Sequence, residues 1–404
     1  MKFCILLLFP VFSFSQSSID NALEYWIQFQ SENNQTEEFS LALESYMVDK
    51  LQINNSSKEE LARFPLFRSN HVNSILQYLR KYQNILSCRE LEQLPYFTSE
   101  YINIIKPFIN LSIRAYHPKP SFSIIWKSKF QLEKPFGYNN TNDSTKIIGS
   151  RIYQYLKLNS KWDNNEISLV LEKDPGEPFF KRGNLFKIGY QKNFNSFIKQ
   201  LNIGAYSLKL GEGLVHSNSF YLGGNNATNR ILKINKSSSE TNFQLGSCAF
   251  FEKGRFKNIV GFAFNPRSAK INNNATTSFI EDGIFNSNSK IELYNSSWDA
   301  NIIMSNQFNF NKLTIAFNSK KSNLLHPFSP TPKYYNKNYN LPKSFINNSI
   351  SYNYFNPVFS ARGEFAISNI KGWATTHFLS TTLAENIALN FNYRIFSEDY
   401  KSFY

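Results

Sequence analysis

Ile387-Ala388-Leu389-Asn390-Phe391-Asn392-Tyr393-Arg394 alternates large apolar residues with small or polar ones. A strand points successive side chains to opposite faces, so this spacing gives one apolar and one polar face. The pattern recurs upstream. Leu313, Ile315 and Phe317 alternate with Thr314, Ala316 and Asn318, and Ile350, Tyr352 and Tyr354 with Ser351 and Asn353. Trp126, Ser128, Phe130 and Leu132 alternate with Lys127, Lys129 and Gln131. Polar turn stretches divide these segments at Tyr138–Ser144, Gly223–Thr228, Asn272–Thr277 and Pro327–Asn340. A dozen or more strands of about ten residues fit residues 118–404, the length a tilted membrane-spanning strand needs.

Two environments suit such strands. One is a soluble β-sandwich array or propeller; the other is a transmembrane barrel facing lipid outside and water inside. After residue 16 no apolar run approaches the ~20 residues of a membrane helix. A chain that enters a membrane without helices must close into a barrel, because only closure pairs every backbone group in lipid. Phe179-Phe180 and Phe250-Phe251 sit where interface girdles are expected. Aromatics make up 16% of the chain and charged residues 18%. That mix is too apolar for disorder, although a low-GC genome would also enrich Asn, Lys, Ile, Phe and Tyr.

The first sixteen residues read as a secretory signal peptide. Lys2 is the positive start, Cys4–Phe14 the apolar stretch, and Ser13, Ser15 and Gln16 the small or polar cleavage region. Cys88 and Cys248 remain after cleavage, in different segments, and indicate neither a disulfide framework nor a metal cluster. Charge is uneven: residues 17–117 hold 9 Lys+Arg and 12 Asp+Glu, whereas 118–404 hold 34 and 18. The basic excess of the long region is that of solvated lysines or of a surface that attracts anionic lipid.

Residues 17–50 read as a helical lead-in. Ile19, Ala22, Leu23, Trp26 and Ile27, then Leu41, Leu43 and Met47, recur at helical spacings, and Gln30–Glu38 reads as a polar loop between them. Residues 51–111, within a module at 51–114, contain an internal repeat at an offset of thirty. Leu61 returns as Leu91, Phe64-Pro65 as Leu94-Pro95, Phe67 as Phe97, Ser69 as Ser99, Val72 as Ile102 and Ile75 as Ile105. Each copy predicts a short helix, a proline turn and a second helix. Ser56 or Ser57 ahead of Glu59 and Glu60, and Ser87 ahead of Glu90, supply capping signals.

Ile53–Leu61, Phe64-Pro65 and Val72–Tyr78, ending near Arg80, resemble the tandem helix-hairpin-helix domain of competence-type DNA receptors. The resemblance covers about 60 residues and implies DNA as a partner, held at the hairpins and helix ends by Arg68, Ser69, Arg80, Lys81, Thr98 and Ser99. One departure bears on that contact. Where the family's hairpin glycines bring bare backbone to a phosphate, this chain has Leu66 and Arg68, then Tyr96 and Thr98. Leu171–Glu177 and Leu208–Leu214 resemble stretches of uncharacterised outer-membrane proteins that join such a module to a barrel. Asp174-Pro175-Gly176 is a turn signature, and Gly211 and Gly213 permit a tight bend. Ser397–Ser402 is polar and poorly alternating for a closing strand. In the resembled proteins a similar segment lies mid-chain, so this reads as a truncated barrel or one with an unusual end.

The five histidines are scattered, and no metal-ligand or nucleophile-elbow spacing occurs. Glu172, Asp174 and Glu177 form an acidic turn that reads either as a cation or acid–base site or as a solvated loop tip. The expectation is therefore an α+β multidomain chain. It has a signal peptide (1–16), a helical lead-in (17–50), a small all-α module (51–114) and an antiparallel all-β barrel (118–404). It would sit in the outer membrane of a Gram-negative bacterium with the module in the periplasm, without catalytic residues, metal or cofactor. Its partners would be outer-membrane lipid and another envelope protein. The alternatives are a DNA-uptake surface protein and, third, a barrel enzyme acting on lipid.

Overall fold

Alternating segments become strands and 3.6-periodic ones helices, in two units. The computed structural model describes residues 13–27, 36–48, 50–56, 60–61, 64–113, 120–139, 141–142, 144–179, 182–218, 230–241, 243–333, 339–356, 359–384 and 387–402. One unit holds the described residues up to 113; the other holds those from 120 onward, apart from 382–384 and 387–388. Residues 1–12 of the expected signal peptide, and the Gly223–Thr228 turn, lie outside the described residues.

In the first unit, helices Ser13–Ile27 and Thr36–Val48 bury Ile19, Ala22, Trp26, Phe39 and Leu43. Trp26 stacks on Phe39 at 4.5 Å. The polar loop expected through Glu38 ends earlier, because the helix already starts at Thr36.

The thirty-residue repeat is a structural repeat. Phe67 N–H donates to Phe64 O as Phe97 N–H does to Leu94 O; Val72 N–H donates to Arg68 O as Ile102 N–H does to Thr98 O. Helix Ser69–Tyr82 corresponds to helix Ser99–Ile105, and helix Cys88–Glu92 precedes the second hairpin, with the Ser87 hydroxyl accepting from Glu90 N. All five apolar pairs are buried: Leu61/Leu91, Phe64/Leu94, Phe67/Phe97, Val72/Ile102 and Ile75/Ile105. The expectation of an all-α module needs one correction. Strands β1 (Leu51–Gln52) and β2 (Ile109–Asn110) pair in parallel across the ends of the repeat. Asn54 makes that closure possible. Its amide donates to Ile85 O (2.9 Å) and Leu111 O (2.8 Å) and accepts from Ile85 N (2.8 Å), satisfying backbone groups the helices leave unpaired.

The second unit is a fourteen-stranded antiparallel sheet. Its strands are β3 (Ser121–Phe130), β4 (Ile152–Trp162), β5 (Asn165–Lys173), β6 (Leu185–Asn193), β7 (Ile198–Leu210), β8 (Arg230–Ile234), β9 (Gln244–Lys253) and β10 (Phe256–Arg267). After a separate hairpin, β11 (Ala269–Asn272) and β12 (Ala275–Phe279), follow β13 (Ser297–Phe310), β14 (Leu313–Leu324), β15 (Ser344–Phe355), β16 (Phe359–Ser368), β17 (Trp373–Ala384) and β18 (Ile387–Phe396). Neighbours in the sheet follow chain order as a meander, with β8 paired only to β7.

The two rims differ. On one, β4–β5, β9–β10 and β13–β14 are joined by the two-residue turns Asp163-Asn164, Gly254-Arg255 and Asn311-Lys312. Asp163 (φ 47°), Gly254 (φ 58°) and Asn311 (φ 28°) lie in the left-handed region these tight turns need. The opposite rim carries the longer connections between β3 and β4, β5 and β6, β7 and β8, β10 and β13, and β14 and β15.

The faces differ as well. On β10, Val260, Phe262 and Phe264 are exposed while Ile259, Gly261, Ala263 and Asn265 are buried. On β13, Ile302 and Met304 are exposed between buried Asn301, Ile303 and Ser305. Trp126 is 71% exposed, whereas Asp299, Asn301 and Glu364 are 0% exposed. Large apolar groups thus line the exposed face of these strands, while the buried face combines polar groups with an apolar cluster that includes Tyr206, Leu208, Ile259 and Ile303.

Glu364 on β16 bonds the turn after β7, six places away in the sheet order, so the sheet curls to bring its inner face onto itself. Among the described residues no pairing joins β3 to β18. The closed barrel expected from the sequence is accordingly a curled sheet with two edge strands. Beyond Phe396 the chain leaves the sheet and turns inward: Tyr400 Oη donates to Leu214 O (2.7 Å) and Asn347 Nδ2 to Lys401 O (3.0 Å). Polar Ser397-Glu398-Asp399 has no apolar phase with which to extend an edge.

Candidate functional site: repeat hairpins and the polar inner face

The second helix of each repeat begins on an extended N-cap. Thr98 (φ −83°, ψ 156°) caps with its side chain, Oγ1 accepting from Tyr101 N at 3.2 Å. Arg68 (φ −96°, ψ 168°) has no acceptor in its side chain; its own N–H donates instead to His71 Nδ1 at 3.0 Å. That fixes the tautomer, so His71 Nε2–H donates to Tyr96 O at 3.2 Å. Tyr101 Oη donates to Leu66 O at 2.5 Å. His71 and Tyr101 occupy equivalent places thirty residues apart, as do Leu66 and Tyr96. Each repeat's second helix therefore holds the other repeat's hairpin. The two rings stack at 4.5 Å and 17° on the line between the repeats.

Burial, then the nearby Arg68 guanidinium, lowers the His71 pKa to about 3, so the ring is neutral. Burial raises the Tyr101 pKa well above the usual phenol value. Tyr96 stands at φ 73°, where the resembled family has glycine. A side chain there is strained, and the cross-repeat bond to its carbonyl helps hold it.

The structure divides the six expected contact residues. Arg68, Thr98 and Ser99 are exposed at the hairpin end. Ser69 joins them by position, its side chain lying outside the described residues. Arg80 and Lys81 are exposed in the last turn of helix Ser69–Tyr82. Twelve residues separate Arg68 from Arg80, about 18 Å at 1.5 Å per residue. One compact anion site formed by all six is thus excluded; the hairpin end and the far helix end are separate surfaces.

The inner face of the sheet carries the second candidate. Asp299 accepts from Asn265 Nδ2 (2.7 Å), Asn301 Nδ2 (2.5 Å) and Arg267 Nε (2.5 Å). Gln244 Oε1 accepts from the same two asparagines, and Ser322 Oγ donates to Asn301 Oδ1. This network ties β9, β10, β13 and β14. A second chain runs from Ser305 through Asn318 to Ser349 and Glu364. Glu364 also accepts from Glu212 N (2.8 Å) and Leu214 N (3.0 Å), while Arg362 pairs with Glu212 at 3.2 Å. The segment 211–218 is thereby held against the inner face, with Val215 and His216 fully buried. Gly211 (φ 52°) and Gly213 (φ 97°) make the bend that the sequence places there.

The acidic turn holds loops together. Asp174–Glu177 forms the expected turn, Glu177 N–H donating to Asp174 O. Glu177 Oε1 accepts from Phe285 N (2.7 Å), and its Oε2 accepts from Asp174 N and Asn184 Nδ2. Glu172 accepts from Tyr153 Oη. Among the described residues no group of three or more His, Cys, Asp or Glu is placed to hold a metal ion.

Sequence reasoning missed Asp299, Asn265, Arg362 and Glu364. Their signal was a charged or amide residue on the small-residue phase of an alternating strand.

No family model matches the sequence, and no curated protein matches it. Among solved structures, similarity is found to the anion-selective porin of Comamonas acidovorans. That match has 11% identity, 68% of this chain and 88% of the porin covered, and a TM-score of 0.26. A mutant Rh. blastica porin matches at 8% identity over 60% of this chain and 85% of its own, with a TM-score of 0.23. Likeness at that level supports no argument, so the functional reading rests on the geometry of the sheet.

Proposed function

We propose that the chain is a non-enzymatic outer-membrane barrel protein whose lumen is lined by the polar inner face and narrowed by segment 211–218. The inverted distribution of side chains is the observation behind it. Phe122, Ile124, Trp126, Phe262, Phe264, Ile302, Ile350 and Phe365 are exposed on the face opposite the Asp299 and Glu364 networks. In water such an apolar face is costly; against hydrocarbon it is favoured. The asymmetry of the rims agrees, since barrels of this class have short periplasmic turns and long outer loops. The chain enters β3 from the short-turn rim, and that supports reading the preceding helical repeats as periplasmic. There the module, of helix-hairpin-helix type, docks another envelope protein or gates the lumen. The use of His71, Tyr101 and Thr98 for internal bonds favours that role over a phosphate cradle.

The test is extraction and conductance. The full chain should sediment with outer membranes, require detergent for release, and form pores in planar bilayers. A freely soluble periplasmic protein ends the reading. DNA binding by the full chain that weakens steeply with salt, and is lost on Arg68→Ala, would replace docking with DNA uptake.

A further inference from the structure

On the long-loop rim of the sheet unit a cleft of about 680 Å³ opens between Ser239–Thr241, the end of the β11–β12 hairpin, and Phe328 and Tyr339. One wall is aromatic. Phe279 stacks on Phe328 at 5.2 Å and 21°, and Tyr339 meets Phe328 edge-on at 5.8 Å. Tyr294 and Phe243 line it further. Two carboxylates, Glu240 and Glu281, stand on the cleft. Among the described residues the lining cation is Arg267, which is bound to Asp299.

Glu240 is the unusual member. Its carboxylate has no hydrogen-bond donor among the described residues. Burial, then the carboxylates Glu177, Asp174 and Glu172, push its pKa up to about 8 against the opposing pull of Lys187. The Lys187 ammonium is already committed to Asn235 Oδ1, Ser237 O and Ser239 O. In a protein with a net charge of +14, two carboxylates thus face a wall of rings, with the Lys187 ammonium over the Phe243 ring at 4.8 Å.

We infer that this cleft binds an organic ammonium ion, a cationic nitrogen on a small apolar body. A hard metal ion would need six or more oxygens, and the wall offers rings instead. Ring faces attract cations, and they favour weakly hydrated ammonium groups. The volume falls in the range of small-molecule sites and far exceeds a bare ion. Glu240 supplies the charge and Phe279, Phe328 and Tyr339 the cage. The inference does not depend on the sheet spanning a membrane.

The test uses the full chain in detergent, titrated with choline and with its uncharged isostere 3,3-dimethylbutan-1-ol by calorimetry. Choline is expected to bind and the alcohol to bind at least tenfold more weakly. Choline keeps its charge at every pH, so the pH response reports the protein. With a Glu240 pKa of about 8, the ionised fraction rises from about one in eleven at pH 7 to about ten in eleven at pH 9. Affinity should then rise about tenfold. Glu240→Gln should abolish that rise and weaken binding, whereas Phe328→Leu should weaken binding and leave the rise intact. Equal binding of the alcohol, a flat pH profile in the native chain, or no choline binding at pH 9 overturns the inference. Because none of these measurements involves bilayer insertion, failure here and failure of the barrel reading are separate results.

Discussion

The helical unit buries a mostly apolar set of residues, whereas the sheet unit buries polar networks beside an apolar cluster. In the first, Phe39, Phe64, Ile75 and Phe108 are inside and Arg68, Arg80 and Lys81 outside. In the second, Asp299, Asn301 and Glu364 are inside and Phe262, Ile302 and Phe365 outside. The first unit is stabilised by removing apolar area from water. The second combines an apolar cluster that includes Tyr206, Leu208, Leu210, Ile259 and Ile303 with buried hydrogen-bond networks, and leaves large apolar residues exposed on its other face. Different surroundings for the two regions are what the membrane proposal predicts from this contrast.

The contrast can be broken at its strongest point first. Phe64→Ala, in the aromatic cluster with Tyr46, Phe67 and Phe108, should destabilise the helical unit by about 3–5 kcal/mol. Limited proteolysis with urea titration would read this as cleavage within residues 36–113 at lower denaturant.

The matching change on the sheet is Phe262→Arg. If that face meets lipid mid-depth, the substitution should cost about 2–4 kcal/mol in bilayers. In a soluble domain an exposed site would shift stability by less than about 0.5 kcal/mol. Urea unfolding in liposomes decides, and a near-zero effect there would sink the lipid-facing assignment.

The pH response of the helical unit comes next. His71 has a folded pKa of about 3, below its unfolded value of 6.5. The unfolded state therefore binds the proton first, and stability present above pH 6.5 is lost as pH falls toward 3. Between pH 6.5 and 4.5 the loss is about 2.3 kcal/mol at 1.36 kcal/mol per unit, since the unfolded histidine is already half protonated at pH 6.5. His71→Gln should flatten this slope in acid titrations followed by near-ultraviolet dichroism.

Glu364→Ala leaves the N–H groups of Glu212 and Leu214 and the hydroxyl of Ser349 without their acceptor, at a cost of about 2 kcal/mol. The sharper readout is conductance, which should rise as segment 211–218 leaves the lumen. Unchanged conductance would show that the segment does not narrow it. Smallest is Thr98→Ala, which removes one helix cap and should cost about 1 kcal/mol in the same proteolysis assay.

Much of the fold was legible locally. The thirty-residue repeat showed itself in paired apolar positions, and it returned as paired hydrogen bonds. Alternation located the strands, and Asp174-Pro175-Gly176 its turn. Legibility ended where partners are distant in sequence. Nothing local to Tyr96 tells that His71 takes its carbonyl, and nothing near Gly211 tells that Glu364 takes the N–H groups beside it. The split of Arg80 and Lys81 from Arg68 came from helix length, which a list of basic residues does not display.

The sequence by itself determined the periodicities. Period two in the long region and period 3.6 in the short one follow from which neighbouring side chains share a face, and that is a property of adjacent residues. Only the tertiary structure decided which face of the sheet is inside. Alternation marks two faces without saying which one is enclosed; the curl that brings β16 to the turn after β7 encloses the polar one. The outward apolar face, and with it the membrane reading of this chain, is a consequence of that curl.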